Sequence, residues 1–576
     1  MANGGIMATT FPNTTPIGPV PTPRQIRHHA REFYGFLHFT INTFTDKEWG
    51  YGDESPDLFN PTDFDAGAMA RIARDAGMAG LILTCKHHDG FCLWPTETTK
   101  HSVASSPFRG GKGDVVREFA DACREVGIGF GVYLSPWDRN HPLYGTPEYV
   151  TQVYRRQLRE LLTNYGPIFE VWFDGANGGD GYYGGARERR AIDSRTYYDW
   201  PGTWAMVREL QPDAVMFSDG GPDVRWVGNE DGIAGDPCWA TMVLGDTVPG
   251  HADVRQLNRG DRDGDTWLIP ECDVSIRPGW FWHELETPLV RSVKNLADLY
   301  FHSVGRGANL LLNLPPDRRG RIPEPDVDAL MGLRAHLDTL FSQDFAGDAV
   351  VSPAPLDGVY TAHEITLDLP AVRAVNVVGL RERVEYGQRV DAWALDAWID
   401  GGEWREVAAA QSIGARRLVR FSGVTADRFR VRIASAVPPA LAEVSLFFEP
   451  PIAQAALVSG QQQVAIIETA GVAKPDEVTI VFDLGAGGED VAGFVYDPYA
   501  PRGHVADKYV VSVSDDGSLW REIQSGEFAN VQANPIRQIV TFDTPRNERF
   551  IRFQGTHFVA GDVVVLSQVQ LISARQ

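Results

Sequence analysis

The first ~340 residues alternate apolar runs with amphipathic segments, and this alternation constrains the fold more than any other feature of the chain. The apolar runs are GFLHFTI (35–41), GLILTC (80–85), GIGFGVYLS (127–135), IFEVWF (168–173), AVMFS (214–218), TWLIP (266–270) and NLLLNL (309–314). Continuous apolar runs are typical of strands buried on both faces, as in a parallel sheet. Between them, segments such as 147–165 carry apolar residues at helical spacing. The alternation predicts a (β/α)8-type barrel, and because we identify seven runs rather than eight, a distorted or incomplete barrel is included in this expectation.

After about residue 345 the pattern changes to short alternating segments separated by Gly, Pro and Asp, which predicts antiparallel β-structure. This part also repeats itself, since VDAWALDAWIDGGEWREV (390–407) is similar to VADKYVVSVSDDGSLWREI (505–523), and DRFRVRI (427–433) to ERFIRF (548–553). Two tandem β-sandwich modules explain such a repeat. Both resemble the discoidin, or coagulation-factor type C, family of galactose-binding-like sandwiches. The chain is therefore predicted to be α/β plus all-β.

The predicted domains are a flexible leader over 1–25, a catalytic barrel over 26–343, and β-sandwich modules over 344–452 and 453–576, the second galactose-binding-like. Three roles stay open for the modules. They brace the barrel, bind a sugar or a calcium ion, or lend a loop to an active site of this chain or of a neighbour.

Composition narrows the range of partners. The chain has 76 acidic against 53 Lys and Arg residues, a net charge of −23, which argues against nucleic acid or an anionic membrane as a partner. Its five cysteines have no CxxC spacing, so neither a disulfide scaffold nor a structural zinc site is expected. The first 25 residues have no basic stretch followed by an apolar one, and no signal peptide is predicted. Compartment and oligomeric state are left open.

Polar clusters follow the ends of several predicted strands. In a parallel barrel, catalytic groups lie at the C-terminal ends of the strands and in the loops that follow them. The clusters at these positions are His38, CKHHDGFCLWP (85–95), Tyr133 with Trp137, Asp174, SDGGPDVRWVGNEDG (218–232), and Glu271 with Asp273. Their convergence on one rim predicts an active site there.

Two interpretations apply to the His87-His88-Asp89 triplet. Metal ligation is one, but adjacent residues in an extended chain point to opposite faces, and the HxH and HExxH spacings are missing nearby. Recognition of hydroxyl groups by neutral imidazoles is the other, and it fits a polyol substrate better. No metal and no other cofactor are predicted.

The carboxylates point to sugar chemistry. Asp174 lies between aromatic residues and a glycine-rich loop, where Asp commonly forms a turn or caps a helix. Acidic residues in the next loop favour catalysis instead, because glycoside hydrolysis needs two carboxyl groups across the bond. Spacing alone does not choose the second group, and the candidates are Asp219, Asp223, Glu230 and Asp231.

Five motifs together resemble the α-L-fucosidases of glycoside hydrolase family 29. They are HFTINTFTDKEWGYG, KHHDGFCLWPTETTKHSV, VWFDGANG, FSDGGPDVRWVGNE and FHSVGRGANLLLNLPP, in family order over residues 30–340. The GPDVRWVGNE stretch is closer to the branch that acts on α-1,3 and α-1,4 fucosides of branched glycans.

The resemblance implies a retaining, exo-acting hydrolase that forms a covalent fucosyl-enzyme. Asp174 matches the nucleophile of the family and Glu230 the acid/base of this branch. The positions expected to bind the fucose are His38, Glu48, Trp49, His87, His88, Tyr133, Trp172, Arg225 and Trp282. Asp219, Glu271 and Asp273 are left between structural and binding roles, and the segment 181–195 is extra length that is expected to shape the rim.

The expected partner is a fucosylated oligosaccharide or the glycan of a glycoconjugate. Alternatives are a fucosidase or transfucosidase of other linkage preference, an inactive carbohydrate-binding protein, and a metal-dependent barrel hydrolase. The presence of both Asp174 and Glu230 argues against the inactive protein.

Overall fold

The computed structural model describes residues 15–175, 182–183, 188–399, 402–452, 472–474, 479–485, 490–496, 505–528, 538–559 and 569–574. The chain divides into two compact units. The first comprises residues 1–45, 50–276 and 291–453, and the second comprises 46–49, 277–290 and 454–576.

The first unit contains a closed barrel of eight parallel strands, which confirms the predicted fold class and closes the ring that seven runs had left incomplete. Every strand pairs with its neighbours in chain order, and the first pairs with the eighth. The strands are Phe33–Leu37 (β1), Gly80–Lys86 (β2), Gly129–Leu134 (β3), Glu170–Trp172 (β4), Val215–Ser218 (β5), Val224–Trp226 (β6), Ile269–Ser275 (β7) and Asn309–Asn313 (β8). The strand that sequence reasoning missed is β6, because it has three residues and a charged arginine at its centre.

Helices follow most of the strands and cover the barrel. They are Pro23–His29 (α1), Ala66–Asp75 (α2), Val115–Val126 (α3), Arg155–Asn164 (α4), Trp200–Leu210 (α5), Val254–Arg259 (α6), Val293–His302 (α7) and Glu324–Leu340 (α8). Shorter helical segments are Asn42–Thr45, Pro56–Leu58, Val103–Ser105, Phe108–Gly111, Pro147–Tyr149, Val150–Tyr154 and Ser194–Tyr197. The helix expected over 147–165 thus consists of three consecutive segments, with a π-turn in the middle one.

The end of the predicted leader belongs to the barrel. Thr22 and Gln25 form a capping box at the start of α1, and the Gln25 side chain is buried, where it donates to the backbone oxygens of Asp223 and Trp267. Sequence reasoning missed this because these anchoring partners lie 198 and 242 residues away in the chain. Residues 1–14 of the expected leader lie outside the described residues.

The first unit also contains a six-stranded antiparallel sheet. Its strands are Val350–Ser352 (β9), Glu364–Glu382 (β10), Ala392–Ile399 (β11), Glu403–Gln411 (β12), Arg417–Ala434 (β13) and Leu441–Phe447 (β14). The order is β9-β10-β13-β11-β12, with β14 on β10. Two register shifts interrupt the long β10–β13 pair, and the sheet has its own apolar core, which includes Leu367, Trp393 and Phe429.

The second unit contains two antiparallel sheets. The five-stranded sheet comprises Val472–Lys474, Thr479–Asp483, Val505–Ser514, Arg521–Glu527 and Phe550–Val559, and the three-stranded sheet comprises Val491–Tyr496, Gln538–Arg546 and Val569–Ser573. The sequence repeat recurs in the pairing, because in both modules the repeated segment forms a hairpin whose first strand also pairs with the second repeated motif. Even a ring contact recurs: Arg430 lies 4.6 Å from the Trp404 ring centre, and Arg552 lies 4.4 Å from that of Trp520.

Within the described residues, no helix combines the length and the apolar character that crossing a membrane requires.

Candidate active site

Asp174 lies immediately beyond β4, at the rim of the barrel. The neighbouring Phe173 continues the strand pairing, because its N–H donates to the Phe217 oxygen at 3.1 Å, so the backbone that carries Asp174 is fixed. The Asp174 side chain keeps 22% of its surface exposed. Tyr133, the penultimate residue of the neighbouring strand β3, donates its hydroxyl to Oδ2 of Asp174 at 2.7 Å. The carboxylate is thus held in place and still open to a ligand.

Three buried histidines from the ends of β1 and β2 lie at the same rim. The rings of His87 and His88 lie 4.0 Å apart, His38 lies 5.6 Å from His87, and Nε2 of His88 is 3.6 Å from Oδ2 of Asp174. Burial lowers the pKa of His87 and of His88 well below the usual range, and neighbouring positive groups add to the effect. Both imidazoles are therefore neutral at pH 7, and each offers one donor and one acceptor, as recognition of hydroxyl groups requires.

Two residues that orient these rings were missed by sequence reasoning. The Ser135 hydroxyl is 2.7 Å from Nδ1 of His88, and Oδ1 of Asn313 is 2.9 Å from Nδ1 of His38. Their signal in the sequence is a polar residue at the end of an apolar run, in GIGFGVYLS and in NLLLNL.

Trp172 lies one layer below Asp174, with its side chain inside the barrel. Its indole stacks on Phe217 with ring centres 4.3 Å apart and planes 7° from parallel, and it meets Tyr133 edge-on at 5.0 Å. Its Nε1–H donates to Oε1 of Glu271 at 3.0 Å. Glu271 is therefore a buried partner of the indole, and its neighbour Asp273 likewise accepts the indole N–H of Trp226 at 2.8 Å.

The loops after β5 and β6 bring further carboxyl groups. Asp219 accepts the Gly250 N–H at 2.7 Å. Burial raises the pKa of Asp219 to about 6, with the Gly250 bond opposing the rise and the charge of Asp174 adding to it. Glu230 is half-buried in the loop after β6. Burial also raises the pKa of its neighbour Asp231, and Arg291 offsets part of that shift.

Asp223 has a structural role and is withdrawn as a candidate for the second carboxyl group. It lies just before β6, and its side chain is 3% exposed. Arg24 donates to it at 2.9 Å, Arg208 donates to its other oxygen, and that oxygen also accepts the Met216 N–H at 3.0 Å. Two guanidinium groups and a backbone amide hold this carboxylate, and it lies at the opposite end of the strands from Asp174. It is therefore not available to attack a substrate.

Arg225 is also structural, contrary to the expected sugar contact. Its side chain is fully buried, and its guanidinium donates to the backbone oxygens of Leu257, Leu268 and Trp239 at 2.7–2.9 Å. Neighbouring Trp226 bonds to Asp273 inside the barrel, and successive strand residues point to opposite faces. Arg225 therefore points outwards from the barrel, where it ties α6 and the neighbouring loops to β6.

Glu48, Trp49 and Trp282 belong to the second compact unit. There, Glu48 accepts the N–H groups of Trp280 and Phe281 at 2.9 and 3.0 Å, and contacts Nε2 of His283 at 2.7 Å. Burial lowers the pKa of His283, but hydrogen bonds to Asp46 and Glu48 outweigh it and raise this pKa well above the usual range. Glu48 thus orders its own loop, while Trp49 and Trp282 are half-buried.

The structure describes only part of the expected rim segment. Within 181–195, residues 181 and 184–187 lie outside the described residues, as do the glycine-rich positions 176–180 after Asp174. The described parts include a short antiparallel pair, Tyr182–Tyr183 with Glu188–Arg189.

Family models match both parts of the chain. A model described as alpha-L-fucosidase matches residues 22–339, and one described as F5/8 type C domain matches residues 453–565. The first covers more than half of the chain and coincides with the barrel.

Relatives and solved structures agree with these matches. Alpha-L-fucosidase 1 of Arabidopsis thaliana is 41% identical over 448 residues, which are 72% of this chain and 85% of that protein. A crystal structure of a glycoside hydrolase 29 family member from an unknown rumen bacterium has a TM-score of 0.73 and 39% identity, and the match covers 97% of this chain and all of that one. A family 29 fucosidase of Ruminococcus gnavus, solved in complex with fucose, has a TM-score of 0.68 and 29% identity over 76% of this chain and 96% of its own. With its barrel, the rim carboxylate and five motifs in order, the chain belongs to the α-L-fucosidases of glycoside hydrolase family 29.

Proposed function

We propose that this α-L-fucosidase removes terminal α-1,3- or α-1,4-linked L-fucose from branched, Lewis-type oligosaccharides, with Asp174 as nucleophile and Glu230 as acid/base. The observation that carries the proposal is the setting of Asp174. Its carboxylate ends a buried strand, accepts the Tyr133 hydroxyl at 2.7 Å and remains 22% exposed. A nucleophile needs this combination of fixed position and access.

In the first step, an oxygen of Asp174 attacks the anomeric carbon of fucose while Glu230 gives its proton to the glycosidic oxygen. The bond between fucose and the leaving sugar breaks, and fucose becomes an ester of Asp174. In the second step, Glu230, now ionised, takes a proton from water as the water oxygen attacks the same carbon. Free fucose leaves with its original configuration, and both carboxyl groups return to their starting states.

The surrounding groups support this division of roles. The pKa of Asp219 is raised to about 6, first by burial and then by the charge of Asp174. Of these two carboxyl groups, Asp174 is the ionised one in the proposed mechanism. The neutral rings of His87 and His88, with His38, are placed to bind sugar hydroxyls. Tyr133 stabilises the charge on Asp174 and Trp172 gives the sugar an aromatic surface. Glu48, Trp49 and Trp282 remain proposed fucose contacts.

The linkage assignment rests on the GPDVRWVGNE stretch, which places Glu230 in the loop directly after β6. A fucosidase or transfucosidase of other linkage preference is the competing proposal, and it differs in substrate rather than in site.

The test compares fucose release from two substrates at equal concentration. One is a branched trisaccharide with α-1,3- or α-1,4-linked fucose, and the other is linear α-1,2-fucosyllactose. We expect release from the branched sugar alone, with the α-anomer of free fucose appearing first by proton NMR. The Asp174→Ala variant is the control for a contaminating activity.

Each outcome decides a separate point. Equal release from both sugars would contradict the linkage preference and leave the fucosidase assignment standing. Early appearance of the β-anomer would contradict retention. No release from either sugar by folded protein would overturn the proposed function.

A further inference from the structure

Below Trp172, the barrel encloses polar side chains that the reaction does not use. His28 from α1, Tyr34 from β1, Glu170 from β4 and Glu271 from β7 are all at most 1% exposed. Burying two carboxyl groups side by side is costly unless their charge is compensated. This energetic cost suggests that the cluster has a function in the protein.

The two carboxyl groups differ in their partners. Glu271 accepts the Trp172 indole N–H at 3.0 Å on one oxygen and the Tyr34 hydroxyl on the other. Among the described residues, neither oxygen of Glu170 has a hydrogen-bond donor, and Nε2 of His28 is 3.5 Å away. Nε2 of His28 lies closer, at 2.9 Å, to the Tyr34 hydroxyl.

This difference in hydrogen-bond partners indicates which of the two carboxyl groups is ionised. Burial raises the pKa of Glu170 well above its usual range, and the neighbouring Glu271 adds to the rise. Burial also raises the pKa of Glu271, to about 7, against hydrogen bonds from Tyr34, Glu170 and Trp172. One proton shared by two close carboxyl groups belongs to the pair, and the donors around Glu271 favour the state in which Glu170 carries it.

Glu271 is linked to the rim through aromatic contacts. The indole that it holds stacks on Phe217 at 4.3 Å and meets the Tyr133 ring at 5.0 Å. Tyr133 in turn donates to Asp174 at 2.7 Å. The chain of contacts from Glu271 to the nucleophile thus contains one hydrogen bond, one ring contact and a second hydrogen bond.

We propose that Glu271 is a positioning residue: by holding the indole N–H of Trp172 from inside the barrel, it fixes the ring against which Tyr133 packs, and so aligns the Tyr133 hydroxyl with Asp174. The proposal rests on the assignment of Asp174 as nucleophile. Glu170 serves as the proton-bearing neighbour that lets Glu271 stay ionised, and within the described residues neither of its oxygens hydrogen-bonds to the indole.

The experiment is a double-mutant cycle with a matched control. Glu271→Gln and Glu170→Gln make the same chemical change in the same buried cluster, and Trp172→Phe keeps an aromatic ring but removes the indole N–H. For each variant, kcat and KM are measured on an aryl α-L-fucoside, with kcat expressed per active site titrated by a slow-turnover fluorinated fucoside. Thermal unfolding and the metal content of the wild-type protein are recorded alongside.

We expect Glu271→Gln to lower kcat about tenfold, with a smaller change in KM, and Glu170→Gln to stay within twofold of wild type. In the Trp172→Phe background, Glu271→Gln should lower kcat no further, because the bond it weakens is already gone. A merely structural role would lower the melting temperature but not kcat per titrated site.

Three results would overturn the proposal. They are equal losses in Glu271→Gln and Glu170→Gln, additive losses in the double variant, and a divalent cation bound stoichiometrically by the wild type and lost in Glu170→Gln. The last is included because ligand atoms of His28, Glu170 and Glu271 lie within 4.8 Å of one another. Failure of the proposed function is distinguishable, since the wild-type enzyme itself would then release no fucose.

Discussion

Two aspartates at opposite ends of the barrel differ in their exposure and in their hydrogen-bond partners. At the base, Asp223 is 3% exposed and bonded to two arginines, whereas at the rim Asp174 is 22% exposed and accepts a neutral tyrosine hydroxyl. At the base, removing one partner would be costly, because it would leave the other charge buried and uncompensated. At the rim, the Tyr133 hydroxyl fixes the Asp174 carboxylate and leaves part of its surface exposed, which suits the nucleophile role that we propose for it. The comparison teaches that the partners of a carboxylate, rather than its burial alone, separate a structural role from a catalytic one.

The largest expected effect is at the rim. Asp174→Ala removes the proposed nucleophile, so fucose release should fall about 10³-fold or more while the melting temperature changes little. Initial rates on an aryl α-L-fucoside check this, with Asp219→Asn as a neighbouring carboxyl control. Activity within tenfold of wild type would move the nucleophile to another residue.

Next comes Glu230→Gln, which removes the proposed proton donor. We expect a loss of about 10²- to 10⁴-fold on a fucosylated oligosaccharide. The loss should be much smaller on an aryl fucoside, because a good leaving group needs no proton. The pair of substrates measures this difference, and Asp231→Asn is the matched control. Equal losses on both substrates would argue against the acid role.

At the base of the barrel, we expect a substitution to lower the stability of the protein rather than its reaction rate. Asp223→Ala leaves Arg24 and Arg208 without their shared partner, and the free energy of unfolding should fall by about 3 kcal/mol. In contrast, kcat per folded molecule should be unchanged. Denaturant unfolding of this variant is compared with that of Asp213→Ala, which breaks the exposed pair with Arg27 and should cost less than about 1 kcal/mol. Similar losses of unfolding free energy in both variants would contradict the expected difference between the buried and the exposed ion pair.

A smaller effect is expected at Tyr133. Tyr133→Phe removes one hydrogen bond to a charged group, worth about 1.5–3 kcal/mol, so kcat should fall about 10- to 100-fold. The control is Tyr154→Phe, since the Tyr154 hydroxyl donates to the backbone oxygen of Leu134 rather than to Asp174. Equal rates for wild type and Tyr133→Phe would show that the hydroxyl does not assist the nucleophile.

The last prediction concerns how the stability of the folded protein depends on pH. Burial lowers the pKa of His29 to about 4, with Glu32 opposing the shift. In the unfolded chain the pKa is about 6.5, so below that pH the unfolded state takes up a proton that the folded state does not. Stability from the neutral ring is therefore lost as pH falls from 6.5 towards 4. Relative to His29→Gln, the wild type should lose unfolding free energy over this range, which denaturant titrations at pH 4.5, 5.5 and 7 measure. A constant difference would contradict the shift.

Much of the fold followed from local pattern. Apolar runs of the right length, separated by amphipathic segments, predicted the barrel because a strand buried on both faces needs apolar residues at every position. The missed strand β6 shows the limit, since VRW is too short and too polar to stand out. Its place is set by pairing with β5 and β7, which no local pattern records.

By itself, the sequence determined the fold class, the family and the strand end that carries Asp174, because periodicity and motif spacing are properties of neighbouring residues. Only the tertiary structure decided which of the polar residues lie at the rim of the barrel. Asp223 lies within the same motif as Glu230, yet it is paired with Arg24, 199 residues away. Arg225 and Trp226 are adjacent in the chain, but the pleat of β6 directs one outwards and the other into the barrel. Contacts between distant segments, and the face on which a side chain emerges, arise only when the barrel closes. For that reason they separated the structural charges from the exposed carboxylate that we propose as nucleophile.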